Sequence, residues 1–338
     1  MAKALPIPQI KPDKPVAGCL PAIVETRIGE IVSFRQQVVK GSTDAVHDMR
    51  VAGRRLQTVL MVFSELIPQN KVLKFKKRLR RLTRRLGTVR QYDVLLEVFS
   101  SAIKCSDDKQ LTVRNLLLAR YSTSRKEAHD NLLNLLEEIE ESDIFRRFIG
   151  SVNTSQAPGM KKAYRNIEKF SFAEKMRDSI GDLVGDFSSG VTRALRHEDS
   201  VEILHEMRIA GKPLRYAMEL AEPCFPEGFN EYFLEIKKTI QLIGDIHDID
   251  LAVNTLHSFG AELRSYNEVA GRVIDHFPVG FLDTATGKLE ADRKKLLSEI
   301  RAILLEWRQD KFFMKLLALL QGGNRFPAPK GVRAGKRK

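Results

Sequence analysis

The distribution of proline is the feature of this sequence that most limits its fold. Of the 13 prolines among 338 residues, five lie within the first 21 residues and two within the last 12, so only six remain between Ala22 and Phe326. Proline interrupts α-helices because it lacks an amide hydrogen and clashes with the preceding turn. The long stretches without proline are rich in Leu, Arg, Lys, Glu and Ala, which favour helix. The chain is therefore predicted to be all-α.

Apolar side chains recur within these stretches at the spacing of a helix. In residues 71–90 they lie three and four positions apart, which places them along one helix face. We find no segment with the alternating pattern of a strand. Helices with one apolar face pack against one another as antiparallel bundles. Similar stripes occur in residues 22–39, 44–67, 111–149, 167–195, 201–221, 230–258 and 289–320.

Two blocks of sequence occur twice and in the same order. The residues from Val46 to Arg54 (VHDMRVAGR) match those from Leu204 to Lys212 (LHEMRIAGK) at an offset of 158. Further on, residues 86–93 match residues 243–250 at an offset of 157. We interpret this as a tandem duplication. It predicts two pseudo-symmetric antiparallel helical bundles of about four helices each.

Composition predicts the domain boundaries. Residues 1–18 are rich in proline and residues 322–338 in Gly, Pro, Lys and Arg, so a disordered N-terminal segment and a basic disordered tail are predicted. Residues 151–160 (SVNTSQAPGM) have the composition of a linker. The first helical bundle is thus predicted over residues 19–150 and the second over 161–321.

The positive charge of the chain is concentrated in two segments. The chain has 56 Lys and Arg against 43 Asp and Glu, a formal net charge of +13. Ten basic and no acidic residues lie between Lys71 and Arg90, and six basic and no acidic residues lie between Arg325 and Lys338. Such a distribution predicts a surface that binds a polyanion. No uncharged apolar run has the length of a transmembrane helix, and three separated cysteines without a CxxC pair fit a protein of the reducing cytoplasm.

Histidine and basic residues share one face of each repeated helix. They stand at positions i, i+3 and i+7, about 120° around the helix from its apolar stripe. Such a face is suited to phosphate oxygens, because Arg offers a planar fork of donors, Lys a point charge and His a donor that becomes cationic near an anion. The residues are His47, Arg50 and Arg54 in the first repeat, and His205, Arg208, Lys212 and Arg215 in the second.

These segments resemble the paired signatures of the CHAD family, the conserved-histidine α-helical domain. The resemblance lies in His47 to Leu56 and His205 to Tyr216, with Leu86 to Val94 similar to a second signature. It extends over roughly residues 20–320. The resemblance implies a pair of pseudo-symmetric helical bundles and a binding role for inorganic polyphosphate, often at polyphosphate granules. We therefore expect a non-enzymatic protein without a cofactor.

The chain departs from the family pattern at three positions. Gln57 stands where a second Arg is usual, and Gln91 stands where Asp is usual. Pro213 lies inside the second signature helix, where it removes one backbone hydrogen bond and is expected to kink the helix.

Polyphosphate carries about one negative charge per phosphate and no base edges, so its recognition requires many charge-assisted contacts along a groove. The two repeated helix faces and the basic segment 71–90 are predicted to line that groove, with more positive charge on the side of the first repeat. The predicted phosphate-binding residues are His47, Arg50, Arg54, Arg55, Lys77, Arg80, Arg81, Arg84, Arg85, Arg90, His205, Arg208, Lys212, Arg215, Tyr216, Lys237, Lys238 and His247.

Three alternative functions remain open at this stage. A nucleic-acid or other polyanion binder would use the same charges, although aromatic residues make up only 7% of the chain and do not alternate with basic ones. A scaffold that binds an acidic protein would use them too. A metal-dependent phosphohydrolase would require ligands from several helices, because adjacent helical residues point about 100° apart. The candidate doublets for that function are His47-Asp48, His129-Asp130 and His247-Asp248.

Overall fold

The computed structural model describes residues 3–67, 69–154, 170–197, 200–270 and 276–322. In these residues the regular structure consists of helices, with no β-strand, which confirms the all-α prediction. The first half contains α1 (Val16–Ser33), α2 (Arg35–Val39), α3 (Thr43–Val62), α4 (Gln69–Ala102), α5 (Asp108–Glu141) and α6 (Ile144–Thr154). The second half contains α7 (Phe172–Ala194), α8 (Val201–Ala221), α9 (Phe229–Ala270), α10 (Gly280–Gln309) and α11 (Phe312–Leu320).

The two signature helices, α3 and α8, begin in the same way. The Ser42 side chain accepts a hydrogen bond from the Ala45 amide at 3.3 Å, and the Ser200 side chain accepts one from the Ile203 amide at 3.3 Å. A serine at this position satisfies an amide that has no partner within the helix. Ser42 and Ser200 are separated by the same 158 residues as the repeated blocks that follow them.

Each signature helix approaches its neighbour closely at a glycine. A Cβ atom on Gly53 of α3 would lie 2.6 Å from Cγ2 of Thr83 on α4. A Cβ atom on Gly211 of α8 would lie 2.7 Å from Cγ1 of Ile240 on α9. The α3–α4 and α8–α9 pairs therefore pack together at equivalent positions. The duplication that would explain this equivalence stays an interpretation of the sequence.

Both hydrophobic cores contain residues from the two halves. The larger core joins α1, α3, α4 and α6 to α7, α8, α9 and α11, and within it the rings of Phe63 and Phe172 have centroids 6.0 Å apart. The second core lies at the far ends of α4 and α9, where Phe99 and Phe259 pack with α5 and α10. The boundary between the repeats is thus not a boundary between cores.

The N-terminal segment differs from the predicted disorder. Ile7 and Ile10 are each only 8% exposed and belong to the larger core. The Phe172 amide donates to the Lys14 carbonyl at 2.8 Å, which ties this segment to the start of α7. The prediction for residues 1–18 is therefore wrong for residues 3–18, because isolated apolar side chains in a proline-rich segment can still be buried by a neighbouring core.

The predicted linker and tail lie partly outside the described residues. Residues 151–154 form the last turn of α6 instead of the start of a linker. Residues 155–160 and the tail from residue 323 onward fall outside the described part of the chain. Among the helices that are described, none combines the length and the apolar character needed to cross a membrane.

Candidate functional site

A cavity of about 510 Å³ lies where α3 and α4 of the first half face α8 and α9 of the second. The charged residues among its described lining are basic except for Asp248, and the cavity brings together residues that are far apart in the sequence. Ten of the predicted phosphate-binding residues line it: His47, Arg50, Arg54, Arg84, Arg90, Arg208, Lys212, Arg215, Tyr216 and His247.

Two equivalent arginines lie against glycines on the neighbouring helices. A Cβ atom on Gly87 of α4 would lie 3.6 Å from Nε of Arg50, and one on Gly244 of α9 would lie 3.9 Å from Nε of Arg208. A larger side chain at either glycine would occupy the space beside the guanidinium. The glycines therefore let Arg50 and Arg208 lie close to the backbones of α4 and α9 while lining the cavity.

Several buried donors in the cavity have no acceptor. Nε of Arg50 and Nε of Arg54 are buried donors with no hydrogen-bond partner among the described residues. Nδ1 of His47 is also buried without a partner, and it donates or accepts according to the tautomer of the ring. Buried polar atoms in folded proteins are nearly always hydrogen-bonded, because an unpaired one keeps its full cost of desolvation. The cavity is thus suited to a ligand rich in acceptor oxygens.

The central cations also lack a carboxylate within ion-pair distance. Within the described part of the chain, Arg50, Arg90, Arg208 and Lys212 take part in no ion pair. The positive charges of Arg50, Arg54 and Arg208 repel one another, and burial reduces the screening of that repulsion by water. The carboxylate of Asp248 offsets part of the repulsion. An anion that entered the cavity would relieve the repulsion.

The acidic residues that end the repeated blocks 86–93 and 243–250 are paired away from the cavity. Asp93 of α4 accepts a hydrogen bond from Nε of Arg125 on α5 at 2.7 Å. At the equivalent position of α9, Asp250 pairs with Arg293 on α10. Both are partly buried ion pairs that fix the cavity-lining helices to their outer neighbours.

Burial and neighbouring charge lower the pKa of Lys212. Desolvation has the largest effect, and the positive charges of Arg208, Arg50 and Arg54 add to it, so that the pKa of Lys212 falls to about 7. The carboxylate of Asp248 opposes the shift. Lys212 is therefore only partly protonated at neutral pH in the absence of a ligand.

Burial and nearby arginines lower the pKa of both cavity histidines and so favour their neutral form. Burial, followed by the charge of Arg208, lowers the pKa of His247 to about 4. Burial, followed by the charge of Arg90, lowers the pKa of His47. A ligand with negative charge near these rings would act in the opposite direction, because it favours the imidazolium.

One carboxylate, Asp248, lies among the lining residues that the structure describes. Burial raises its pKa, and the charges of Arg208 and Arg90 partly offset that effect. Its counterpart in the first half is Gln91, which also lines the cavity. The second half therefore carries a negative group where the first half carries a neutral one.

Arg55, which the sequence predicts to bind phosphate, has a different role. Its Nε and Nη2 atoms donate to the two carboxylate oxygens of Glu219 at 2.7 and 2.9 Å. This bidentate pair joins α3 to α8, and Arg55 is only 4% exposed. Arg55 thus connects the two halves and does not line the cavity.

Seven further predicted residues lie outside the cavity. The Arg81 guanidinium donates to Glu138 at 2.5 and 3.0 Å, and Lys238 pairs with Glu299 at 2.9 Å. Glu138 belongs to α5 and Glu299 to α10, so these two cations are paired with the outer neighbours of α4 and α9. The other five are Lys77 and Arg80, which are exposed; Arg85, which is half-buried; Lys237, whose Nζ lies 5.8 Å from the Phe233 ring centroid; and His205, which is exposed with its ring centroid 6.0 Å from that of His247.

Sequence reasoning missed the regular face that α4 and α9 present to the cavity. On α4 this face has positions 84, 87, 91 and 94, and on α9 it has positions 241, 244, 248 and 251. Each set follows helical spacing, and the two sets differ by the same offset of 157 that relates the second pair of blocks. The signal was present in the sequence. This helix face adds Gln241 and Asp248 to the site. It also places the neutral Gln241 at the position of α9 that is equivalent to Arg84 on α4.

Pro213 does not interrupt the site. Helix α8 continues through it to Ala221, and both Arg215 and Tyr216 line the cavity. The histidine–aspartate doublets form no metal centre in the described residues, where no three His, Cys, Asp or Glu side chains form a group that could hold a metal ion.

Comparison with known proteins gives one family and one fold. The family model described as CHAD domain matches residues 22–257. The crystal structure of the CHAD domain from the plant Ricinus communis aligns with a TM-score of 0.63 and 21% identity, covering 90% of this chain and 96% of that one. PptA from Streptomyces chartreusis aligns with a TM-score of 0.55 and 16% identity, covering 88% and 100%. No curated protein sequence matches. At these identities the structural likeness shows the fold alone.

Proposed function

The chain belongs to the CHAD family, and from that premise we propose that the cavity between its halves binds inorganic polyphosphate. This is the ligand that the resemblance of the signature segments implies. Binding of this kind would bring the protein to polyphosphate granules in the cytoplasm.

The proposal rests on one observation, the group of unpaired cations that line a single cavity from both halves. Arg50 and Arg54 come from α3, and Arg208 and Lys212 come from α8. Polyphosphate offers negatively charged acceptor oxygens at every unit of its chain. Charge-assisted hydrogen bonds to such oxygens are about twice as strong as neutral ones, and arginine can form them in pairs.

Bound polyphosphate would supply the acceptor oxygens and the negative charge that these side chains lack among their described neighbours. The buried Nε atoms of Arg50 and Arg54 would gain acceptors, and negative charge would raise the pKa of Lys212 from about 7. These groups project from helices that are fixed by the shared core, so few rotamers need to be ordered on binding.

The cavity fits polyphosphate better than single-stranded nucleic acid. Tyr216 is the one aromatic side chain, apart from the histidine rings, among its described lining residues, and it is only 8% exposed. Proteins that bind single strands usually stack the bases on accessible aromatic rings. We therefore propose that the protein recognises phosphate groups and makes no contacts specific to nucleic-acid bases. We also propose that it binds polyphosphate without hydrolysing it.

A pair of matched double variants tests this function. Arg50→Ala with Arg208→Ala removes one cavity cation from each half. Arg120→Ala with Arg264→Ala removes two exposed cations that pair with Glu262 and Asp283. Arg264 lies 20 residues beyond Gly244 on α9, about 30 Å along the helix.

Isothermal titration with polyphosphate at about 150 mM salt should separate the two variants. Loss of a charged hydrogen bond at a buried site costs about 1.5–3 kcal/mol, so the cavity variant should bind at least about tenfold more weakly while the control binds like the parent. Circular dichroism establishes that both variants are folded. Equal binding by the two variants would contradict the proposed site.

Two further measurements test the preference for polyphosphate over nucleic acid and the absence of polyphosphate hydrolysis. Single-stranded DNA, added at the same phosphate concentration, should compete poorly with polyphosphate. Incubation with polyphosphate, with and without Mg²⁺, should release no inorganic phosphate. Stronger binding of DNA would favour a nucleic-acid function, and metal-dependent release of phosphate would favour a phosphohydrolase.

A further inference from the structure

The face of α4 that lines the cavity continues beyond the cavity as a row of basic side chains. Arg84, Thr88 and Gln91 line the cavity. Arg80 and Lys77 stand about one and two helical turns before Arg84. At about 100° per residue, all five positions fall within about 80° of one another around the helix. The basic row of Lys77, Arg80 and Arg84 therefore runs from the cavity toward the N-terminal end of α4.

The three cations of the basic row are available to a ligand. All three are exposed, and within the residues that the structure describes none of them takes part in an ion pair. The neighbouring face of the same helix is different, because Arg78 and Arg81 both pair with Glu138 of α5. The charge on the α5 side of α4 is thus partly neutralised, whereas the charge of the basic row is not.

Helix α9 has no equivalent row. The positions related by the offset of 157 hold Leu234, Lys237, Gln241, Asp245 and Asp248. This face has one cation and two carboxylates, where α4 has three cations and no carboxylate. The side-chain amide of Gln241 donates to Asp245 at 2.8 Å, so the residue that replaces Arg84 is itself engaged with an acid. A polyanion that extends out of the cavity is therefore attracted along α4 and not along α9.

The basic row has a defined length. The rise of an α-helix places Lys77 about 10 Å from Arg84 along the axis. The next position on the same face is Leu73, an exposed apolar residue that offers no contact to phosphate. The row thus adds two cations, those of Lys77 and Arg80, to the ones that line the cavity.

We propose that the basic row is an outer subsite along which polyphosphate continues out of the cavity, so that the protein selects long chains over short ones. The inference rests on the proposed function, since the chain must first occupy the cavity. A chain held there keeps its next phosphates at a high effective concentration beside Arg80 and Lys77. Exposed contacts that would hold a free phosphate only weakly then add to the affinity, with release of further counterions.

Two double variants and two ligands test this subsite. Lys77→Ala with Arg80→Ala removes both cations outside the cavity and keeps Arg84, which lines it. The matched control, Arg120→Ala with Arg264→Ala, removes the same charge from exposed positions elsewhere. The ligands are long-chain polyphosphate and tripolyphosphate, which is too short to contact the central cavity cations and Lys77 at the same time.

Isothermal titration at one salt concentration should show an effect of chain length. The row variant should bind long-chain polyphosphate at least about fivefold more weakly than the parent, and it should bind tripolyphosphate like the parent. The control variant should bind both ligands like the parent. For the long chain, the slope of log affinity against log salt concentration should become shallower by about 0.7 for each lost contact. Circular dichroism establishes that both variants are folded.

An equal loss of affinity for the two ligands, or no loss for either, would overturn the inference. A row variant that binds the long chain more weakly but keeps the salt dependence of the parent would also overturn it. Arg50→Ala with Arg208→Ala is titrated alongside and should weaken the binding of both ligands. If it does so while the row variant behaves like the parent, the proposed function stands and only the outer subsite is lost.

Discussion

At the scale of single residues, the pKa values of Lys212 and His247 lie below those of an exposed lysine and an exposed histidine. Burial is the main cause in both cases, and the nearby arginines add to it. A bound polyanion favours the charged forms, so it raises both pKa values and the complex takes up protons. The affinity for polyphosphate must then depend on pH.

The direction of this dependence follows from linkage. Below about pH 7 Lys212 is charged with or without ligand, whereas above it the free protein must gain a proton to bind. Affinity should therefore rise as the pH falls from about 9 to about 7. Calorimetry in buffers of different ionisation enthalpy measures the proton uptake, and Lys212→Arg should reduce it. A constant affinity over this range, or a release of protons, would contradict the assignment.

The sequence identifies the central cations but not their partners. Arg50, Arg54 and Arg208 were predictable because their helical spacing occurs in two equivalent blocks. Arg55 follows Arg54 directly and has the same chemistry, yet it pairs with Glu219 across 164 residues. A contact so distant in the chain depends on how the helices pack, which the local pattern does not contain.

At the scale of helices, two glycines set the distance between paired elements. Gly53 and Gly211 allow α3 to approach α4 and α8 to approach α9. The Thr83 side chain that a larger residue at 53 would meet is constrained, since its hydroxyl donates to the Leu79 carbonyl at 3.0 Å and accepts from the side-chain amide of Gln57 at 2.7 Å. A larger residue must therefore separate the helices that carry the cavity cations.

Alanine substitutions test this packing. Gly53→Ala and Gly211→Ala should each destabilise the protein by about 1–3 kcal/mol, because the overpacking outweighs the gain in helix propensity of about 1 kcal/mol. Gly185→Ala in α7 is the matched control, since no atom lies within 4 Å of its added Cβ, and it should be neutral or stabilising. Urea unfolding measures all three. Equal stability of the three variants would show that the close approach is not important.

Helix positions were largely predictable, whereas the order of the N-terminal segment was not. The apolar stripe in residues 71–90 lies inside α4, which extends to Ala102. The N-terminal segment has the proline content of a disordered chain, but Ile7 and Ile10 are buried. Two apolar side chains give no periodicity, so their burial depends on the space that other elements leave.

At the scale of the molecule, the halves share their cores and the cavity lies between them. The cations of α3 and α8 therefore project from elements that are packed into one core. The repeated blocks predicted two similar halves, but shared cores require contacts between distant segments that a repeat does not specify. A site built on such rigid elements needs little ordering to bind.

The basic tail gives a contrasting test at this scale. Residues 325–338 carry six Lys and Arg. Their composition predicts disorder, and a disordered segment loses conformational entropy with every contact. Truncation after residue 324 should weaken polyphosphate binding less than about threefold at ~150 mM salt, far less than Arg50→Ala with Arg208→Ala. A truncation that abolished binding while the double variant bound normally would assign the polyanion to the tail.

The affinity of the parent protein for polyphosphate should also fall steeply from ~50 to ~300 mM salt as counterion release becomes less favourable.

A crystal structure of the protein with bound polyphosphate tests the central claim most directly. We expect successive phosphates in the cavity between α3, α4, α8 and α9, with oxygens that accept hydrogen bonds from Arg50, Arg54, Arg208 and Lys212. A polyphosphate chain bound along the exposed side of α4 at Lys77 and Arg80, with the cavity unoccupied, would contradict the account.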